Sequence, residues 1–274
     1  MRPNESAPLF EGSIPAVYAR SLVPLIFEPY AVDLASRVAE RQPARVLEIA
    51  AGTGVVTRHL AQVLPSDVAI VATDLSQSML DEAAAAGTAR AVEWAQADAQ
   101  HLPFPDGAFD VIVCQFGVMF FPDRVKAFAE ARRVLRPGGA FVFSVWDRIE
   151  ANEFPETILE AVRSLLPESQ SPFVTRVPHG YHDRSVIAQD LAAAGFTEAP
   201  EFTVVSARAQ AESPRVPAVA FCHGTPMRRE LEESGPATLA KATDLATAAI
   251  AARFGSGAIT GKLQALIVSV KRNG

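Results

Sequence analysis

The chain has 274 residues, 49% hydrophobic and 20% charged, with 20 prolines and 16 glycines, a composition that supports a sizeable buried core and excludes disorder, collagen and coiled coil. Its 31 acidic against 25 basic side chains leave a formal charge of -6, so no global positive field is available to hold a phosphate backbone and general nucleic-acid binding is disfavoured. Cys114 and Cys222 are far apart in apolar stretches and are expected to be small buried hydrophobes, with no disulfide framework or zinc site. Met1 to Phe10 lacks the charged start and apolar run of a leader, and no apolar window reaches the ~18 residues of a membrane helix, so a cytoplasmic protein without membrane insertion is expected.

In chain order, Phe27 to Arg41 is apolar at helical spacing and Pro43 stops it. From Arg45 short β-branched runs alternate with amphipathic stretches: Val46–Ala50, Val68–Thr73, Ala91–Ala95, Phe109–Cys114 and Ala140–Trp146 read as strands, with helices around 55–65, 76–86 and 123–136. That alternation predicts a parallel sheet with both faces covered. Ser76 is placed to cap the helix carrying Met79, and Pro137-Gly138-Gly139 ends a helix and leads into the next strand. Beyond Trp146 the pattern predicts a helix over Phe154–Leu165, a Pro/Ser-rich loop, and a helix from Asp183 to Gly195. Strands Glu201–Arg208 and Leu263–Lys271 follow, separated by helical sequence around 214–254 that reads as a lid.

The most informative stretch is Val46 to Gly54, a buried-type strand running into a glycine turn and then a helix. Glycines there let a ligand approach backbone that a β-carbon would block. A dinucleotide site would repeat Gly-x-Gly-x-x-Gly, but the sixth position from Gly52 is Thr57 and the strand carries a carboxylate, Glu48. Both features disfavour a pyrophosphate. A buried carboxylate needs a donor or a cation, which for Glu48 means a cationic ligand or a structural arginine. The second strand ends at Asp74, where an acid in this topology accepts both hydroxyls of a ribose, or else helps cap the next helix. Asp98, after the third strand, suits an exocyclic amine or a turn. Three acids at successive strand ends converge on one crevice.

In these motifs, with Ala72 to Leu80, Ala97 to Phe104, Phe109 to Asp123 and Ala131 to Gly139 in the same order, residues 40–147 resemble the class I S-adenosylmethionine-dependent methyltransferases, in the ubiquinone/menaquinone-biosynthesis branch. The resemblance implies an α/β, Rossmann-like fold: a seven-stranded, mostly parallel sheet with helices on both faces, an antiparallel last strand and a mainly helical lid. It implies that Glu48 faces the methionine ammonium while Ala50, Gly52, Thr53 and Gly54 wrap the methionine and ribose. Asp74 would take the ribose hydroxyls, Leu75 and Met79 would pack on adenine, Ala97, Asp98 and Ala99 would read its edge, and Gln115 and Phe116 would border the sulfonium. S-adenosylhomocysteine would be the product.

Methyl transfer is an in-line displacement that needs placement and water exclusion more than a dedicated base. His179 and His182 are the base candidates, against the alternative of solvated loop histidines. Tyr18, Arg20, Phe120 and Trp146 are expected at the acceptor, core packing being the alternative for the aromatics. The chain divides into an N-terminal helical cap (1–39), a cofactor-binding core (40–147), a recognition and lid region (148–261, including core strand 200–209) and a final core strand (262–274). The expected activity is methylation of a partly apolar small molecule by a monomer or homodimer without a metal. A nicotinamide oxidoreductase and a non-catalytic S-adenosylmethionine-binding protein are the rivals. RNA or protein methylation is disfavoured by only four lysines and dispersed arginines.

Overall fold

The computed structural model describes residues 14–166, 171–235 and 237–274. Met1 to Phe10, read above for a leader, lies outside the described residues, as do Ser13 and part of the Pro/Ser-rich loop after Leu165. A short helical turn (Ile14–Val17) runs through a π-helix (Tyr18–Phe27) into α1 (Glu28–Ala39). The core follows as β1 (Arg45–Ile49), α2 (Val55–Val63), β2 (Ala69–Asp74), α3 (Gln77–Ala86), β3 (Glu93–Gln96), β4 (Phe109–Gln115), α4 (Arg124–Val134) and β5 (Leu135–Trp146). Then come α5 (Glu153–Val162), α6 (Arg184–Ala193), β6 (Glu201–Ala211), α7 (Arg215–Gly224), α8 (Met227–Glu233), α9 (Thr238–Phe254) and β7 (Ile259–Lys271).

The seven strands form one sheet in the order β3-β2-β1-β4-β5-β7-β6. Pairings from β3 through β5 are parallel, and β7 runs antiparallel to both β5 and β6. The path β1-α2-β2 steps toward one edge and β4-α4-β5 toward the other. Right-handed crossovers taken in opposite directions put α2 and α4 on opposite faces. The central strands are consequently buried on both sides: all of β4 is buried as far as Cys114, which is why its sequence is a continuous apolar run rather than an alternating one.

Local chemistry sets the helix starts. The Ser76 hydroxyl accepts the Met79 amide at 3.4 Å, Asp123 accepts that of Lys126 at 2.9 Å and Asp183 that of Ser185 at 2.8 Å, each satisfying an amide the first turn leaves orphaned. Three boundaries differ from the sequence expectation. Pro137-Gly138-Gly139 lies inside β5, where Gly138 takes a left-handed φ of 79° and its amide donates to the carbonyl of Arg272 at 2.7 Å. The last two strands pair on to Ala211 and Ile259. Gly261 hid that extension, because it carries no apolar signal and yet must be glycine: a β-carbon would come within 2.8 Å of the Phe154 ring. The N-terminal cap is helical from Ile14, with Pro24 inside it.

Among the described residues no helix is long and apolar enough to cross a membrane, and no cluster of three or more His, Cys, Asp or Glu is placed to hold a metal ion. Both cysteines are buried and free.

Asp110 ties the start of β1 to β4. Its Oδ2 accepts the amides of Ala44 at 2.6 Å and Arg45 at 2.7 Å, and its Oδ1 meets Arg136 at 2.6 Å. Charge-assisted bonds of this kind contribute about 1.5–3 kcal/mol, so Asp110→Ala is expected to cost about 2 kcal/mol in urea unfolding. A loss too small to measure would show that water replaces the carboxylate.

Candidate functional site

The crossovers diverge between β1 and β4, and the carboxyl ends of those strands flank the crevice where open α/β sheets bind ligands. The backbone there is strained on both sides. Ala50, just after β1, has φ 54° and Phe116, just after β4, has φ 49°, in the left-handed region that costs a non-glycine residue of order 1–3 kcal/mol. Surrounding bonds hold them: the Phe116 amide donates to the carbonyl and to the hydroxyl of Ser144, both at 3.1 Å, and the Ala51 amide to the Thr73 carbonyl at 2.9 Å. The two ends press together so closely that a β-carbon on Gly117 would fall 2.6 Å from that of Ala50.

Past Ala50 the chain turns through Gly52 (φ 56°) and Gly54 (φ 76°) into α2. The two glycines serve different needs. A β-carbon on Gly52 would meet nothing within 4 Å, whereas one on Gly54 would be 2.9 Å from the Trp94 ring. Gly52 leaves open space and Gly54 permits close packing.

A cavity enclosing about 830 Å³, mouth included, opens at this turn, within the size range of small-molecule sites. Ala50, Gly52, Asp74, Leu75 and Met79 line one side; Ala97, Asp98 and Ala99 line another; Gln115, Phe116, Phe120 and Tyr18 close it. The two carboxylates that reach it are held by backbone. Asp74 accepts the amides of Gly52 and Ser76, each at 2.8 Å, and the Leu75 amide also lowers its pKa. Burial raises its pKa against the pull of those bonds. Asp98 accepts the Gln100 amide at 2.8 Å and the Gln100 side chain at 3.2 Å, so it is a turn residue and a cavity wall at once.

Glu48, Thr53 and Gly54 are not among the residues of the cavity wall. Glu48 is 1% exposed and forms no ion pair with an arginine: Arg58 turns instead to the Thr53 carbonyl at 2.7 Å. The partner is Thr57, whose hydroxyl donates to Glu48 at 2.5 Å. In the sequence Thr57 registered only as a missing glycine. The signal that would have found it is its position on the first turn of α2, directly above the end of β1. Burial, reinforced by Asp74, pushes the Glu48 carboxyl up to about 8, against the opposing pull of Thr57 and Arg58. Around it the Thr53 hydroxyl and the Gln115 carbonyl oxygen are buried without a hydrogen-bond partner, an unfavourable state unless a ligand supplies one.

A second chamber of about 650 Å³, mouth included, adjoins the first. Tyr18, Phe116 and Phe120 belong to both walls. Phe116 stacks on Trp146 with ring centres 3.8 Å apart and planes 6° off parallel, and Tyr30 stands edge-on to each ring. Of the two histidine candidates, only His179 lines the chamber. Its Nδ1 bonds the Asp147 carbonyl at 2.7 Å, and burial pushes its pKa down to about 4. His182 borders neither cavity and is tied through Nδ1 to the His179 carbonyl at 2.8 Å. Arg20 is exposed and borders neither, because its position on the π-helix faces away from the wall that Tyr18, Leu22 and Ile26 present.

The Glu48 environment sets a pH dependence. A carboxyl raised from 4.5 to about 8 is protonated in the fold and ionised in the unfolded chain between those values. Its contribution is full below the unfolded value and is lost as pH rises toward 8, at up to about 1.4 kcal/mol per pH unit. Glu48→Gln should therefore flatten the fall of unfolding free energy between about pH 5.5 and 7.5; parallel curves for variant and parent would mean Glu48 is ionised in the fold.

Residues 47–143 match the profile of the methyltransferase-domain family. Over 99 residues the chain is 43% identical to the ubiquinone/menaquinone biosynthesis C-methyltransferase of Teredinibacter turnerae, covering 35% of this chain and 40% of that relative. Over 163 residues it is 34% identical to the malonyl-[acyl-carrier protein] O-methyltransferase of Geobacter sulfurreducens, covering 59% and 58%. The chain thus spans roughly half the length of these curated relatives. The solved YcgJ protein of Bacillus subtilis superposes with a TM-score of 0.54 at 22% identity, over 90% of this chain and all of that one, a likeness of fold. Sequence motifs, sheet order and this match agree: residues 47–143 are similar to the methyltransferase-domain family and, among its members, to the ubiquinone/menaquinone C-methyltransferases.

Proposed function

We propose that the chain binds S-adenosylmethionine in the crevice between β1 and β4 and methylates a small, largely apolar acceptor, with S-adenosylhomocysteine as the product. The observation that carries this reading is the acidic rim: Asp74 and Asp98 both line the cavity. Fixed negative charge suits a cationic ligand and repels a diphosphate. The residues present fit such a ligand. Asp74, anchored by backbone amides, is an acceptor for vicinal hydroxyls. Leu75 and Met79 offer an apolar plate for a purine, with Asp98 and the strand-end backbone of Ala97 and Ala99 at its edge. The orphaned side-chain amide oxygen of Gln115 would gain a donor, and Gly52 leaves room for backbone contact.

When bound, the cofactor would supply an electrophilic methyl group on sulfur. The chain's own part is placement and dryness: the stacked Phe116–Trp146 pair and Tyr18 form an apolar partition between cofactor cavity and inner chamber, where an acceptor would lie in line and away from water. Residues 148–261 would act as the recognition and lid region. The two curated relatives differ in the atom they methylate, by name a carbon in one and an oxygen in the other, so neither sets the acceptor atom here.

Isothermal titration tests the reading. S-adenosylmethionine and S-adenosylhomocysteine should bind in the micromolar range or tighter, and Asp74→Asn should weaken both about tenfold or more by removing one charge-assisted acceptor. Absence of binding to either, with NAD bound instead, would replace the methyltransferase with an oxidoreductase. Cofactor binding with no acceptor turned over across a broad small-molecule panel would reduce it to a binding protein.

A further inference from the structure

The side chain that divides the two cavities stands where strand geometry alone would not put it. In an extended strand successive side chains point to opposite faces, yet Gln115, the last residue of β4, and Phe116, the residue after it, both line the outer cavity. The left-handed φ of 49° at Phe116 breaks that alternation, and the same ring also walls the inner chamber. It lies flat on Trp146, with planes 6° apart and ring centres at 3.8 Å, and Tyr30 stands edge-on to both. Left-handed backbone is unfavourable for a residue with a β-carbon, so the surroundings must hold it there.

Ser144 holds it with a group that the sheet itself does not require. It stands opposite Gln115 in the β4–β5 register, and its carbonyl accepts the Phe116 amide at 3.1 Å, a bond that any residue in its place would supply. Its hydroxyl accepts the same amide, also at 3.1 Å, which makes a three-centre bond. Ser144 is the one polar side chain between Ala140 and Trp146. It is fully buried and lines neither cavity. A hydroxyl in an apolar strand is unfavourable unless a hydrogen bond compensates it, and here the bond goes to the amide of the strained residue. The turn is gripped on its other side as well: a β-carbon on Gly117 would fall 2.6 Å from that of Ala50 and 2.7 Å from the Cys114 sulfur.

We propose that Ser144 is a positioning residue for methyl transfer: its hydroxyl and carbonyl together clamp the Phe116 amide, hold the left-handed backbone, and so keep the Phe116 ring flat on Trp146 as the wall between crevice and chamber. The link to methyl transfer rests on the methyltransferase reading; the placement of the ring does not. Without the hydroxyl the amide keeps one acceptor, the backbone relaxes toward the ordinary region, and the ring leaves the stack. Because the ring belongs to both walls, both cavities change together.

The test uses the full chain with Trp94→Phe as the background, so that Trp146 is the sole indole. Acrylamide quenching of Trp146 fluorescence and isothermal titration with S-adenosylhomocysteine are read on samples whose far-UV circular dichroism matches the parent. Ser144→Ala should make Trp146 more readily quenched and weaken S-adenosylhomocysteine about fivefold, the worth of one buried hydrogen bond. Ser144→Thr keeps the hydroxyl and should stay near the parent in both, while Ser144→Cys, with a weaker acceptor, should fall between. Combined with Phe116→Leu, which removes the ring, Ser144→Ala should cost no more than Phe116→Leu alone, since it acts through that ring. Parent-like quenching and affinity in folded Ser144→Ala, an equal loss in Ser144→Thr, or losses that add to those of Phe116→Leu would each overturn the proposal. If Ser144→Ala does not fold, Ser144→Cys carries the test, and parent-like values in it would overturn the proposal equally. If S-adenosylhomocysteine fails to bind the parent while Trp146 responds as stated, the methyltransferase reading falls and the role of Ser144 in placing the ring stands; if it binds every variant alike and Trp146 does not respond, the reading stands and the role of Ser144 falls.

Discussion

Everything in the site hangs on the meeting of two strained strand ends. Ala50 and Phe116 both adopt left-handed backbone where β1 and β4 part, and Gly117 lets them touch by having no side chain to interpose. The sheet topology brings these ends together, since crossovers of one hand that leave in opposite directions must open a crevice between their first strands. The strain is stabilised by the amide bonds to Ser144 and Thr73 from strands on either side. One turn then serves two cavities: the loop after Ala50 shapes the outer one, and the Phe116 ring walls both.

The acids around this crevice are not equivalent, and their differences follow from what surrounds each. Asp74 has backbone amides aimed at it and lines the cavity. Glu48 has a single hydroxyl partner and almost no exposure, so the free protein favours its protonated form. Arg58 lies close enough to lower the Glu48 pKa yet spends its hydrogen bond on the Thr53 carbonyl, bracing the glycine loop from below.

The partition of Phe116, Phe120 and Tyr18 joins the crevice beside β1 and β4 to the inner chamber. The Phe116–Trp146 stack is buttressed by Tyr30 and Phe27, which arrive from the π-helix and α1, and closed from the far side by α7 and the loop bearing His179.

The strand and helix alternation from Arg45 to Trp146, the turn at Gly52–Gly54 and the acids at three strand ends were legible in the sequence because each is a local consequence of chain chemistry: period, capping and glycine freedom act over a few residues. The same local logic failed where partners are distant. It left Glu48 to a cationic ligand or a structural arginine and missed Thr57, which the start of α2 brings down on it. It gave His179 and His182 equal weight three residues apart, and only the packing of their loop against Asp147 and the lid sends one into the chamber and leaves the other outside both cavities. It placed Arg20 beside Tyr18, but a helix turns neighbouring side chains to different faces and Arg20 meets solvent. Sequence alone determined the sheet, its ligand-binding end and the sign of charge there; tertiary structure decided which buried groups are paired, which are left open and what walls them, because burial and hydrogen-bond partnership depend on residues far apart along the chain.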